Sequence, residues 1–225
     1  MGTFEAFYFS QTQHPVLLWL AALFALGFCL TRRGLDPSMR RYCGALSVLS
    51  LADAWLTSQP IFGIGTLSGP AASMLPLFFV LAGDFRYLLL AAGANAAGRV
   101  VFSRQRVFWA LGFTAIVPIS TQVMLFLLPT EYDTARVMFL IYEISFVVLT
   151  LALLRFHENV RSVPWIKGVS RFVLVYYSLW ATADAIILTT GADIGFALRV
   201  VPNLLYYGGL IAVMGRAAPI AEASR

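Results

Sequence analysis

Residues 172–213 contain the apolar runs FVLVYYSLWATADAII (172–187) and FALRVVPNLLYYGGLIAV (196–213), separated by a short polar turn. With its flanks, each run reaches the roughly 20 residues that an α-helix needs to cross about 30 Å of hydrocarbon. Each also holds a polar group in its interior, Asp184 in the first and Asn203 in the second. An ionisable group at that depth is costly unless it faces protein or a water-filled cavity. The pair therefore predicts membrane-spanning helices with a shielded polar site.

Composition extends this reading to the whole chain of 225 residues. It is 60% hydrophobic and 12% charged, with a mean hydropathy of +0.79, whereas soluble domains carry about 25% charged residues. The net charge of +5 does not point to nucleic acid, because the basic residues flank apolar runs and form no basic domain. The two cysteines, Cys29 and Cys43, read as small apolar packing residues. Residues 1–14 contain Glu5 and no Lys or Arg, and arginines follow the first apolar run, the reverse of a cleaved signal.

Seven spans are predicted, at 15–30, 41–58, 71–92, 107–128, 136–156, 171–190 and 194–215, forming one all-α bundle over 1–225. The second is the least apolar, since it contains Ser47, Ser50, Asp53 and Thr57, but the charge pattern requires it. Arg32, Arg33, Arg40 and Arg41 follow span one, and Arg99, Arg104 and Arg106 follow span three. Arg155, Arg161, Lys167 and Arg171 follow span five, and Arg216 and Arg225 follow span seven. By the positive-inside rule the N-terminus lies outside and the C-terminus in the cytoplasm. The expected setting is the lipid bilayer of a bacterial inner (plasma) membrane, crossed several times, with the oligomeric state left open.

LADAWLTS (51–58) in span two is echoed by TADAIILTT (182–190) in span six, and a proline follows in the next span, Pro76 or Pro202. This suggests two three-helix units joined by span four, a 3+1+3 layout.

Counting along the spans places Asp53, Glu143, Asp184 and Asn203 in the outer half, on four different helices. Ser50 and Thr57 share the face of Asp53; Trp180 and Tyr177 share that of Asp184; Arg199, Tyr206 and Tyr207 lie near Asn203. This layer is the candidate solute- or proton-binding site, with Trp180 and Tyr206 orienting the guest. Close carboxylates repel, so one should hold a proton unless a cation lies between them. Asp84 and Arg86 lie deeper, two residues apart on different faces, and read as a gating or structural lock in which Arg86 snorkels or pairs with an acid on another helix.

Other chemistries find little support. The histidines, His14 and His157, are assigned to opposite membrane sides, so no multi-histidine metal site is expected, and no cofactor is implied. No Ser/His/Asp arrangement is visible. LSLADAW, DFRY and PNLLYY are superficially similar to signatures of seven-helix receptors, but the only lysine, Lys167, lies in a connection, which excludes a rhodopsin-type retinal linkage.

The 3+1+3 layout resembles the SWEET and PQ-loop transporter architecture, which implies movement of a small solute between two halves; no Pro-Gln dipeptide occurs. AGDFRYLLL (82–90), RQRVFWALGF (104–113) and the ADAII…NLLYYGG end (183–209) are similar to segments of the lysoplasmalogenase hydrolases. That resemblance implies a membrane lipid hydrolase with Asp84 and Asp184 as its carboxylate pair, although the family's membrane histidine, its Lys-Pro motif and one span are missing. The leading expectation is a proton- or cation-linked transporter of a small polar or cationic solute, more a carrier than an enzyme. The alternatives are the hydrolase and a non-transporting receptor or assembly subunit.

Overall fold

The computed structural model describes residues 1–57, 70–132 and 134–220, with the backbone alone at 70–73. Ser58, the last residue of the second predicted span, Asp133 and Arg225 lie outside the described residues.

The described residues form α-helices and contain no β-strand. In order they are α1 (Thr3–Tyr8), a wide-turn segment Thr12–Leu17 broken at His14, α2 (Leu18–Thr31), α3 (Pro37–Leu56), α4 (Pro70–Gly93) and α5 (Arg104–Leu127). They continue with α6 (Ala135–Phe156), α7 (Glu158–Ser162), α8 (Pro164–Thr190), α9 (Ile194–Leu204), a second wide turn at Leu205–Gly209 and α10 (Leu210–Ala217). Six segments among the described residues are long and apolar enough to cross a membrane: Thr12–Thr31, Met74–Gly93, Arg104–Leu127, Ala135–Phe156, Pro164–Thr190 and Ile194–Ala217. The second predicted span coincides with α3, a 20-residue helix that is less apolar than these six. Its buried side includes Ser47, Ser50 and Asp53, which lower its hydropathy.

Helix ends follow local chemistry. The Asp36 carboxylate accepts from Ser38 N at 2.9 Å ahead of Pro37 and so caps α3, and Ser103 and Thr134 cap α5 and α6 in the same way. α8 begins at Pro164, seven residues before the predicted boundary. Proline suits the first turn because its missing N–H has no partner there anyway, so Lys167 and Arg171 lie on the helix and not before it. Gly191 ends α8 with φ of 64°, a left-handed cap that glycine adopts without strain. The short helices α1 and α7 were not read from the sequence.

α8 packs chiefly on α6 and α9, α2 on α3 and on the last crossing, and α5 on α4 and α6. The segment Ile194–Ala217 lies close to α2: a Cβ added at Gly208 would run into the Ala21 carbonyl oxygen. Large apolar side chains project outward from the bundle, among them Phe24, Phe108, Phe126 and Phe156, as a hydrocarbon solvent favours.

Candidate functional site

A cavity of about 230 Å³ is lined by Tyr8 of α1, the carboxyl end of α3, the amino halves of α4 and α6, the middle of α8, and Arg199, Asn203, Tyr206 and Tyr207 of α9 and the wide turn after it. The prolines of three helices bear on this region: Pro76 lies in its wall, Pro118 in a neighbouring groove and Pro202 beside Asn203. Each removes a backbone N–H and leaves a carbonyl without its helical partner. After Pro202 the last crossing widens at Leu205–Gly209, and this turn carries Tyr206 and Tyr207 into the cavity wall. Wide turns of this kind concentrate at functional sites.

Of the predicted outer layer, Asp53, Glu143, Asn203, Trp180 and Tyr206 all line this cavity. Asp53 has hydroxyl neighbours: Thr57 Oγ1 lies 3.3 Å from its carboxylate, and the Tyr207 hydroxyl is within hydrogen-bonding reach. No guanidinium or ammonium lies within ion-pair distance of Asp53 among the described residues. The Thr57 hydroxyl also lies 3.3 Å from His14 Nε2. His14, placed at the outer interface by the sequence, is instead part of the cavity wall, because the break at that residue turns the chain inward. Trp180 Nε1 donates to Asn203 Oδ1 at 2.8 Å, fixing one amide dipole toward α8.

Asp184 is arranged differently. It is fully buried, does not line the cavity, and is held by Arg136, whose Nη1 donates to Oδ1 at 2.7 Å, and by Arg199 at Oδ2. Arg199 does line the cavity; its Nη1 is 3.7 Å from Glu143 Oε1, and its Nε donates to the Tyr8 hydroxyl at 3.1 Å. A protein cation thus sits between Glu143 and Asp184. The site is less acidic than expected, since the carboxylates do not need a bound ion to separate them.

The inner pair is corrected as well. Arg86 is buried; it does not snorkel, and among the described residues it makes no ion pair with an acid. Its Nη1 donates to Ser50 Oγ at 3.0 Å, its Nη2 donates to the Tyr206 carbonyl at 2.6 Å, and its guanidinium lies 4.1 Å from the Tyr206 ring centroid. Asp84 accepts hydrogen bonds from the hydroxyls of Tyr142 and Tyr177, both cavity-lining residues. Asp84 and Arg86 therefore support the cavity from behind, and Gly83 leaves room for the Tyr206 hydroxyl, into which an added Cβ would run. The two polar depths read from the sequence are joined through tyrosines.

Among the described residues Asp84 and Asp184 share no hydrogen-bond or ion-pair partner, and neither lines the cavity, so nothing in the site favours the carboxylate pair of the hydrolase reading. Among the described residues no group of three or more His, Cys, Asp or Glu side chains could hold a metal ion.

Tyr8, His14, Tyr142 and Arg136 were not anticipated as site residues. Arg136 did carry a signal, as a basic residue at the membrane end that the positive-inside rule otherwise leaves poor in them.

No family model matches the chain, and neither a curated protein nor a solved structure matches it. The segment likenesses to hydrolases and transporters thus gain no support from those comparisons, and the functional reading rests on the cavity.

Proposed function

We propose that this chain is a seven-crossing membrane protein, α3 being the seventh span, that binds a small cationic solute in the cavity and moves it across the bilayer with proton linkage. In this reading the cavity end faces outward, as the arginine-rich connections suggest, and the 3+1+3 layout supplies the two halves that rock around the site. The observation that carries the proposal is Asp53: a buried carboxylate in a cavity wall, with hydroxyl neighbours and no ion-pair partner among the described residues. Arg86 acts on this carboxylate only at a distance, without pairing with it, and a buried charge that lacks a direct ion-pair partner is unfavourable. It is relieved either by a proton or by a cation, and that competition is what couples the two.

The surroundings suit an organic cation. Tyr177, Trp180, Tyr206 and Tyr207 contribute aromatic surface to the wall, and an aromatic ring attracts a cation placed over its face. The volume is below the roughly 300–1,000 Å³ of drug-sized ligand sites, so the bound group is small. Glu143, neutralised in part by Arg199, tunes the charge, and Asn203, held by Trp180, orients the guest.

Uptake of radiolabelled choline into proteoliposomes under an imposed pH gradient tests this function. Accumulation above protein-free vesicles that is lost in Asp53→Asn supports it. Accumulation that is equal in Asp53→Asn and wild-type protein overturns it.

A further inference from the structure

A second cavity, of about 170 Å³, lies between α4, α5 and α6 and shares Pro76, Val80, Phe139 and Tyr142 with the polar one. These four residues line both spaces, so the two lie side by side. Apart from Thr121, Gln122 and the Tyr142 hydroxyl, the groove's side chains are apolar. The Thr121 hydroxyl is already used, donating to the Val117 carbonyl at 2.8 Å.

The groove borders the outside of the bundle. Leu77 is 49% exposed and Phe139 is 41% exposed, and both belong to segments apolar enough to cross a membrane. Their exposed faces therefore meet hydrocarbon. A solute confined to water has no use for such an annex, whereas an apolar chain gains by leaving neither lipid nor protein contact unfilled. Gln122, exposed on α5, makes no hydrogen bond among the described residues and lines the same groove, where the polar neck of an amphiphile would meet it.

We propose that the ligand is a single-chain cationic amphiphile, with its charged head at Asp53 and its apolar chain in the α4–α5–α6 groove, reaching the site sideways from the bilayer. This rests on the reading of Asp53 as a cation site and goes further by assigning the ligand's class and route.

Binding of choline and of alkyltrimethylammonium ions of increasing chain length to the full chain in lipid nanodiscs tests it. In wild-type protein the affinity rises by up to about fourfold for each added methylene, the transfer limit for burying that group, and levels off once the groove is full. Met138→Trp, which fills the groove from α6, flattens this dependence while leaving choline affinity within about twofold. Leu77→Trp, at a half-exposed position, does the same if Met138→Trp does not fold. Partitioning of the probes into the nanodisc is common to wild type and variants and so cancels. An unchanged chain-length dependence in a folded groove variant overturns the amphiphile assignment and leaves the head site intact. Absence of choline binding to wild-type protein overturns the cation-site reading beneath it.

Discussion

The two ends of the bundle differ in what several of their polar side chains face. At the end opposite the cavity, polar side chains close directly on nearby backbone: Asn159 Nδ2 donates to the carbonyls of Ala91 and Ala94 at 2.7 and 2.8 Å, and Trp165 Nε1 donates to that of Asn95 at 3.0 Å. Asp36 is met by Ser38 and by Arg99 at 3.3 Å, while Ser38 Oγ accepts from Val100 N at 3.1 Å. At the cavity end Asp53, Glu143 and Asn203 surround space. Buried polar groups are normally satisfied by their neighbours. On the proposed reading, the end whose polar groups line a cavity is the one that receives the solute.

The largest effect expected from this contrast falls on the sealed acid within the open end. Asp184→Asn leaves Arg136 and Arg199 without their carboxylate and should lower stability by about 3–5 kcal/mol, the typical cost of breaking a buried ion pair from one side. Thermal unfolding in detergent checks it; a variant as stable as wild type would mean that Asp184 belongs with the ligand and not with the scaffold.

A smaller loss should follow at the closed end. Asn159→Ala strands two carbonyls and should cost about 1–3 kcal/mol, read by the same melting experiment, with choline affinity unchanged. If that affinity falls as well, the two ends are coupled and the contrast drawn above fails.

The smallest effect is a pH dependence. The hydroxyl hydrogen bond from Ser38, helped by the Ser38 N–H and by Arg99, holds the Asp36 carboxyl below the usual carboxylate range. The folded state therefore gains stability from ionised Asp36 above the unfolded-state value, and loses it as pH falls through the lower folded-state value. Asp36→Ala should cost about 0.5–2 kcal/mol near neutral pH, as for other helix caps. The gap to wild type should close in strong acid, as followed by melting temperature against pH.

How much of this was legible in the sequence differs between elements. Hydropathy located the long helices, because hydrocarbon imposes their length, and counting along them placed Asp53, Glu143 and Asn203 at one depth. α3 was visible only through the alternation of arginines, since its buried serines and Asp53 lower its hydropathy. The start of α8 was misplaced because Lys167 and Arg171 look like a boundary, although long basic side chains can ride on a helix and keep their charge at the interface. The fate of Asp184 was not legible at all. Its partners lie 48 and 15 residues away on α6 and α9, and local periodicity does not say which acid meets an arginine and which meets a void. His14 was missed for a related reason: the irregular segment before α2 has no period from which an inward turn could be read.

Calorimetric titration of choline into nanodisc-embedded protein tests the central claim most directly, with its neutral isostere dimethylbutanol and the Asp53→Asn variant as comparisons. Saturable choline binding that weakens at least tenfold for the isostere, and at least tenfold in Asp53→Asn, is the predicted result. Equal binding of the charged and neutral molecules, or choline binding untouched by Asp53→Asn, would contradict the account.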